Sequence, residues 1–129
     1  MSYRVEFSYD AGILRAHLSG GGRDLDSTID AWRRIAAEIH ERRPPAVLVV
    51  SDVPGEPFTP AQVQAFIQAM IGLGFESLRI AYVYSQAVRW HEGEVAEILA
   101  AEAGFEARAF AEERAARMWL RHGERAADV

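Results

Sequence analysis

Ala46-Val47-Leu48-Val49-Val50 is an uninterrupted apolar run, flanked by Pro44-Pro45 before it and Ser51-Asp52 after it. A short continuous run rich in β-branched residues is the pattern of a strand covered on both faces, or central in a parallel sheet. Such a strand needs helices above and below it, and the rest of the chain is read outward from that requirement.

Upstream, Leu25, Ile29, Trp32, Ile35, Ala36 and Ile39 recur at spacings of three and four, which places them on one stripe of a helix. Asp26 or Ser27 is the expected N-cap, and Arg42-Arg43-Pro44-Pro45 ends the helix. Before the helix stands Ser19-Gly20-Gly21-Gly22, and before that a strand over 13–18. Tyr3, Val5, Phe7 and Tyr9 alternate with Arg4, Glu6 and Ser8, a period of two that predicts a first strand with one buried and one wet face. Asp10-Ala11-Gly12 joins the two strands as an antiparallel hairpin.

Downstream, Thr59-Pro60-Ala61-Gln62 combines a capping hydroxyl, a proline at the first helical position and a glutamine three residues after the cap. A second helix starts there and runs to about residue 72. A strand over 78–84, a cap at Ser85, a helix over 87–103 stopped by Gly104, a strand over 106–110 and a helix over 112–121 complete the reading. The order β-β-α-β-α-β-α-β-α predicts a single α/β domain over 1–122, a mixed sheet of about five strands with four helices, followed by a polar tail over 123–129.

Composition narrows function. At 129 residues the chain suits one domain, which buries roughly 65–70% of its extended surface. A net charge of −5, with no basic cluster longer than Arg33-Arg34 or Arg42-Arg43, speaks against nucleic acid and anionic membrane as partners. The absence of cysteine excludes disulfides, thiolate nucleophiles and cysteine zinc sites. The absence of lysine excludes a Schiff base, a Walker-A lysine and a Ser-Lys dyad. Residues 57–75 carry no charge, but Pro57, Pro60, Gln62, Gln64 and Gln68 make a membrane span untenable there. The N-terminus shows no apolar signal region, so a cytoplasmic location is expected. The lysine-free, Ala- and Arg-rich composition suggests a GC-rich bacterial genome.

The run Arg108-Ala109-Phe110, then Ala116, then Trp119-Leu120 resembles the closing R-x-F…A-x-x-W-L signature of SpoIIAA-like proteins. Gly12-Ile13-Leu14-Arg15-Ala16-His17-Leu18-Ser19-Gly20 resembles the second strand and glycine turn of that family and of the wider STAS (anti-sigma-factor antagonist) group, and the resemblance covers roughly residues 3–120. It implies a SpoIIAA-like fold and a regulatory serine, in a D-S-S-G-like element at the start of the helix after the third strand, whose phosphorylation alters binding to a partner kinase. The corresponding segment here, Ser51-Asp52-Val53-Pro54-Gly55-Glu56-Pro57-Phe58-Thr59-Pro60, is longer, proline-rich and lacks adjacent serines. Without any family, Ala115, Met118 and Trp119 share a helical face expected to dock beside Phe110.

Several residues are candidates for chemistry. Thr59 is the best placed hydroxyl for a phospho-switch, because a phosphate at a helix N-terminus meets free N–H groups; ordinary capping alone explains it and is the favoured reading. Ser51 and Asp52 end a buried strand, where open α/β sheets present ligand-contacting groups, so Ser51 is the second switch candidate. Ser51 lacks the glycine elbow of a nucleophile. Gly20-Gly21-Gly22-Arg23 could offer N–H groups to an anion, with Arg23 as counter-charge, but lacks the G-x-G-x-x-G spacing. His91-Glu92-Gly93-Glu94-Val95 begins like a zinc helix and has Val95 where the second histidine must stand. His91 falls on the stripe of Val88, Val95, Ile98 and Leu99 and is expected to be packed, while His17, His40 and His122 show no partner spacing. Trp90 falls opposite that stripe, so either the helix starts after it or its indole is exposed.

The uncharged second helix presents Ala61, Gln64, Ala65, Gln68 and Ala69 outward, and depletion of charge marks interface centres. No catalytic set, metal site or cofactor is expected. Two functions stay open: a non-enzymatic SpoIIAA-like regulatory module that meets a protein partner or forms a homodimer, and a carrier of a small apolar or amphipathic ligand near Phe58 and Trp90. Phe58, Gln64, Ala65, Gln68 and Trp90 are the residues assigned to that interface or groove.

Overall fold

The computed structural model describes residues 3–84 and 89–122. Its elements follow the expected order: β1 Arg4–Asp10, β2 Ile13–Ser19, α1 Leu25–Arg42, β3 Ala46–Asp52, α2 Pro60–Met70, a 3-10 turn Phe75–Ser77, β4 Arg79–Tyr84, α3 Trp90–Glu102, β5 Glu106–Phe110 and α4 Glu113–His122. The five strands lie side by side in chain order, β1 antiparallel to β2 and the others parallel. Because the parallel strands advance in one direction, a single hand of crossover puts every connecting helix on the same face. Accordingly α1, α2 and α3 pack against Leu14, Ala16, Leu18, Val47, Val49 and Ile80, while among the described residues α4 alone covers Ile13, Leu48, Val50, Ala81 and Val83 on the other face. The run that opened the reading, 46–50 in β3, is buried throughout.

Local chemistry accounts for most of the boundaries. Thr59 and Gln62 form a reciprocal capping box at α2, and Arg43 closes α1 in the left-handed region with its N–H donating to the Ile39 carbonyl. The α1 cap is Asp24, not Asp26 or Ser27: its carboxylate accepts from the Ser27 N–H at 2.8 Å. The glycine run pauses the chain, and the first acidic side chain after it reaches the free N–H groups.

Three further expectations are corrected. Val5, Phe7 and Tyr9 do point to the helix face, in register with Leu18, Ala16 and Leu14, yet Phe7 and Tyr9 remain exposed because β1 is the edge strand and lies at the margin of α1. On α3 Gly93 and Ala100 are buried, Val95, Ala96 and Leu99 are half-buried against the core, and Ile98 and His91 are exposed, so the expected stripe is met in part. On α4 the docking residues are Ala116, Trp119 and Leu120, with Ala115 and Met118 outside; Trp119 packs on Phe110 at 5.9 Å as expected. Ser85, Val88 and the tail over 123–129 lie outside the described residues.

Candidate functional site

A cavity of about 110 Å³ lies between the sheet and α1, α2 and α3. Its floor is formed by side chains that alternate toward the helix face, Leu18, Ser51, Ile80, Tyr82, Ala107 and Ala109. Its roof comes from Trp32 of α1, from Val63, Phe66, Ile67 and Met70 of α2, and from Gly93, Ala96 and Ala100 of α3. Trp32 is held in place by edge and tilted contacts with Phe66 at 5.2 Å, Phe75 at 5.6 Å and Tyr82 at 6.3 Å. The space exists because α3 and β5 meet through small side chains. A Cβ on Gly93 would stand 3.0 Å from the Ala109 Cβ and 3.3 Å from Tyr84 Cε1, so the helix sits close, and Ala96, Ala100 and Ala107 leave the volume beside it unfilled.

The cavity has one apolar end. Residues from the N-terminal ends of the parallel strands and their flanking turns, Ile80, Phe75, Phe105 and Ala107, are apolar; the polar groups come from the segment after β2, from the end of β3, from Glu92 and Glu97 of α3 and from Arg108 of β5. The C-terminal ends of such strands are where open α/β sheets place ligands. Arg23 and Glu92, with side chains only 5% and 9% exposed, form a two-point ion pair, Nη1 to Oε1 at 2.8 Å and Nη2 to Oε2 at 2.6 Å. Burial, the largest single influence, acts to lower the Arg23 pKa, but the hydrogen bonds Arg23 donates to Glu92 and the surrounding electrostatics together more than offset it and hold the guanidinium charged. The Phe58 ring lies under the same guanidinium at 4.0 Å. Thr28 Oγ1 donates to the Asp24 carbonyl at 2.8 Å, so its contact with the Tyr3 hydroxyl at 2.5 Å has tyrosine as donor. Burial pushes the Tyr3 pKa up, which keeps that phenol protonated. Ser51 is 3% exposed, lines the cavity, and its hydroxyl has no hydrogen-bond partner among the described residues.

The loop over this end is clamped from two arginines. The Arg23 N–H donates to Pro54 O at 3.1 Å and its Nη1 to Glu56 O at 3.2 Å, while Arg89 Nη2 donates to the carbonyls of Val53 and Gly55. Alternate carbonyls of 53–56 therefore go to different arginines. Gly55 makes the close approach possible: at φ +139° a Cβ would stand 2.6 Å from the Arg23 Cβ. Arg89 is 1% exposed, and its Nε and Nη1 have no partner among the described residues.

The sequence candidates separate accordingly. Ser51 and Phe58 line the cavity; Thr59 is exposed at the α2 cap; Gln64, Ala65 and Gln68 lie on the exposed face of α2; Trp90 is 55% exposed against His91 at the first turn of α3. A kinase could reach Thr59 directly, whereas Ser51 is closed off. Arg23 does not wait for an external anion, since Glu92 already occupies it. His91 lies on the surface between the Trp90 ring and Glu94 Oε1, the latter at 4.0 Å, and no group of three metal-ligating side chains occurs among the described residues. Sequence reading missed the Arg23–Glu92 pair, the Tyr3–Thr28 bond and Arg89. It also missed His17, which the β1–β2–β3 pairing places 2.6 Å from Asp52 and 3.6 Å from Glu6. These partners are 25–69 residues apart or on neighbouring strands, a separation that no local motif spans.

No protein-family model matches the chain, and comparison with curated proteins finds no relative. Among the described residues no helix is long and apolar enough to cross a membrane.

Proposed function

We propose that the protein is a non-catalytic binding module that holds one small, mainly apolar molecule between its sheet and the α1–α3 layer. The single observation that carries this reading is the cavity of about 110 Å³, lined mainly by aliphatic and aromatic side chains of the larger core. Domain interiors hold few voids larger than a water molecule, and an engineered apolar cavity of about 150 Å³ stays dry and takes up benzene. A ligand would recover the dispersion contacts that the bare lining lacks. The test is benzene titration followed by amide NMR shifts. Shifts confined to residues such as Gly93, Ala96 and Ala109, and lost in Ala96→Phe, support the reading; no movement of these amides up to benzene saturation refutes it. Native mass spectrometry of the protein as purified would then show what it carries.

A second reading, the regulatory module implied by the resemblance to SpoIIAA-like and STAS proteins, draws support from the element order and from the outer face of α2. Gln64, Ala65 and Gln68 are exposed and uncharged, and Ile71 beside them is half exposed. That composition suits an interface centre, with a partner protein or a second copy as occupant. Gln64→Glu combined with Gln68→Glu is expected to weaken any dimer seen by light scattering, and an unchanged dimer removes this face from the interface.

A further inference from the structure

The class of ligand follows from how the polar end of the cavity is already satisfied, an inference that rests on the binding role proposed for that cavity. Two facts constrain it. The Ser51 side chain lines the polar end, no hydrogen bond to its hydroxyl is found among the described residues, and a ligand that covers it without offering a partner is disfavoured. At the same end Arg23 is engaged at two points by Glu92, so the pair presents no net charge; of the other charged side chains on the lining, Glu97 accepts from the Ala109 N–H and Arg108 lies over Phe110 and Trp119. An anionic ligand would meet the Glu92 carboxylate as a like charge and would have to break two short hydrogen bonds to reach Arg23. A cationic one would compete with Arg23 for Glu92 in the same way. A purely hydrocarbon ligand would leave Ser51 unpaired.

We infer that the cavity selects a small amphipathic molecule with one neutral hydrogen-bonding group, a hydroxyl or a carbonyl, held at Ser51 beside the Arg23–Glu92 pair, and an apolar body lying toward Ile80, Phe105 and Met70. Ser51 is the residue that separates this class from simple hydrocarbons, because its hydroxyl can both donate and accept. Glu92 separates it from carboxylates. The two residues thus make opposite contributions to specificity, one attractive and one repulsive.

The experiment is a matched series, benzene, phenol and benzoate, titrated into the full-length protein and followed by amide NMR shifts at the cavity residues. Phenol is expected to bind about 3–10-fold tighter than benzene, the worth of one net hydrogen bond, with benzoate weakest. Ser51→Ala should bring phenol back to the benzene affinity while leaving benzene unchanged. Glu92→Gln should raise benzoate affinity at least about tenfold. Equal binding of benzene and phenol in the natural protein overturns the inference while leaving the cavity as a ligand site, and so does benzoate binding tightest. If none of the three moves a cavity amide, the binding role itself fails. The ranking in the natural protein decides the matter even if Glu92→Gln does not fold.

Discussion

Removing one member of the Arg23–Glu92 pair should cost far more than removing both. The two side chains are almost entirely withdrawn from water and share two hydrogen bonds of 2.8 and 2.6 Å, so either single replacement strands a buried charge. Breaking such a pair from one side costs about 3–5 kcal/mol, whereas replacing both partners by apolar groups of similar volume is often close to neutral. Arg23→Met and Glu92→Met are each expected to lower unfolding free energy by about 3–5 kcal/mol, with the melting temperature falling by roughly 10 °C or more. The Arg23→Met change also forfeits the Glu56 carbonyl contact and the stacking on Phe58. The double variant should therefore remain about 1–2 kcal/mol below the natural protein, leaving a coupling energy of about 3 kcal/mol or more. Urea denaturation monitored by circular dichroism, run as a complete double-mutant cycle, measures it. Single replacements costing under about 1 kcal/mol, or costs that simply add in the double variant, would refute the claim that the pair is buried and mutually dependent.

Further outcomes test other parts of the structure. The Glu113 carboxyl is held below its ordinary pKa first by hydrogen bonds from Arg15, at 2.8 and 3.1 Å, and then by Arg117. Because the folded value lies below the unfolded one, its contribution is present above about pH 4.3 and fades as pH falls through the depressed value; Arg15→Gln should lower stability at pH 7 and flatten the acid limb of a stability–pH curve, and an unchanged slope would count against the pairing. Gly55→Ala places a Cβ 2.6 Å from the Arg23 Cβ at a left-handed φ, and a loss of about 1–3 kcal/mol is expected in chemical denaturation, accompanied by faster amide exchange across 53–56; neutrality would contradict the clamp. Trp119→Ala opens the smaller core under α4 and should cost about 3–5 kcal/mol by the same assay, since among the described residues α4 is the only helix covering that face; a cost under about 1 kcal/mol would show that α4 is not anchored there.

The regular elements were legible because each is written locally. The capping box at Thr59 and Gln62, the alternation of β1 and the apolar run of β3 depend on neighbours within a few residues, and all appear where their patterns put them. Errors arose where a periodic pattern left the choice of face to the rest of the molecule. On α3 the apolar stripe is met only in part: Val95 and Leu99 are half-buried against the core and Ile98 is exposed, while the buried residues are Gly93 and Ala100, with Gly93 set close against Ala109 of β5. Met118 was expected inside α4, and Leu120 took its place beside the sheet.

The site divides in the same way. From the sequence alone come the α/β class, the strand order of the hairpin and the exclusion of cysteine and lysine chemistry, along with the placing of Ser51 at a strand end and of Gln64 and Gln68 on an open helix face. The cavity could not be read there, since an empty volume is the difference between two surfaces brought together from α1, α2, α3 and the sheet. Nor could the pairing of Arg23 with Glu92, 69 residues apart, be read from either neighbourhood. Only the tertiary arrangement withdraws both charges from water, and that withdrawal turns a loop arginine and a helix-start glutamate into the polar end of an otherwise apolar site.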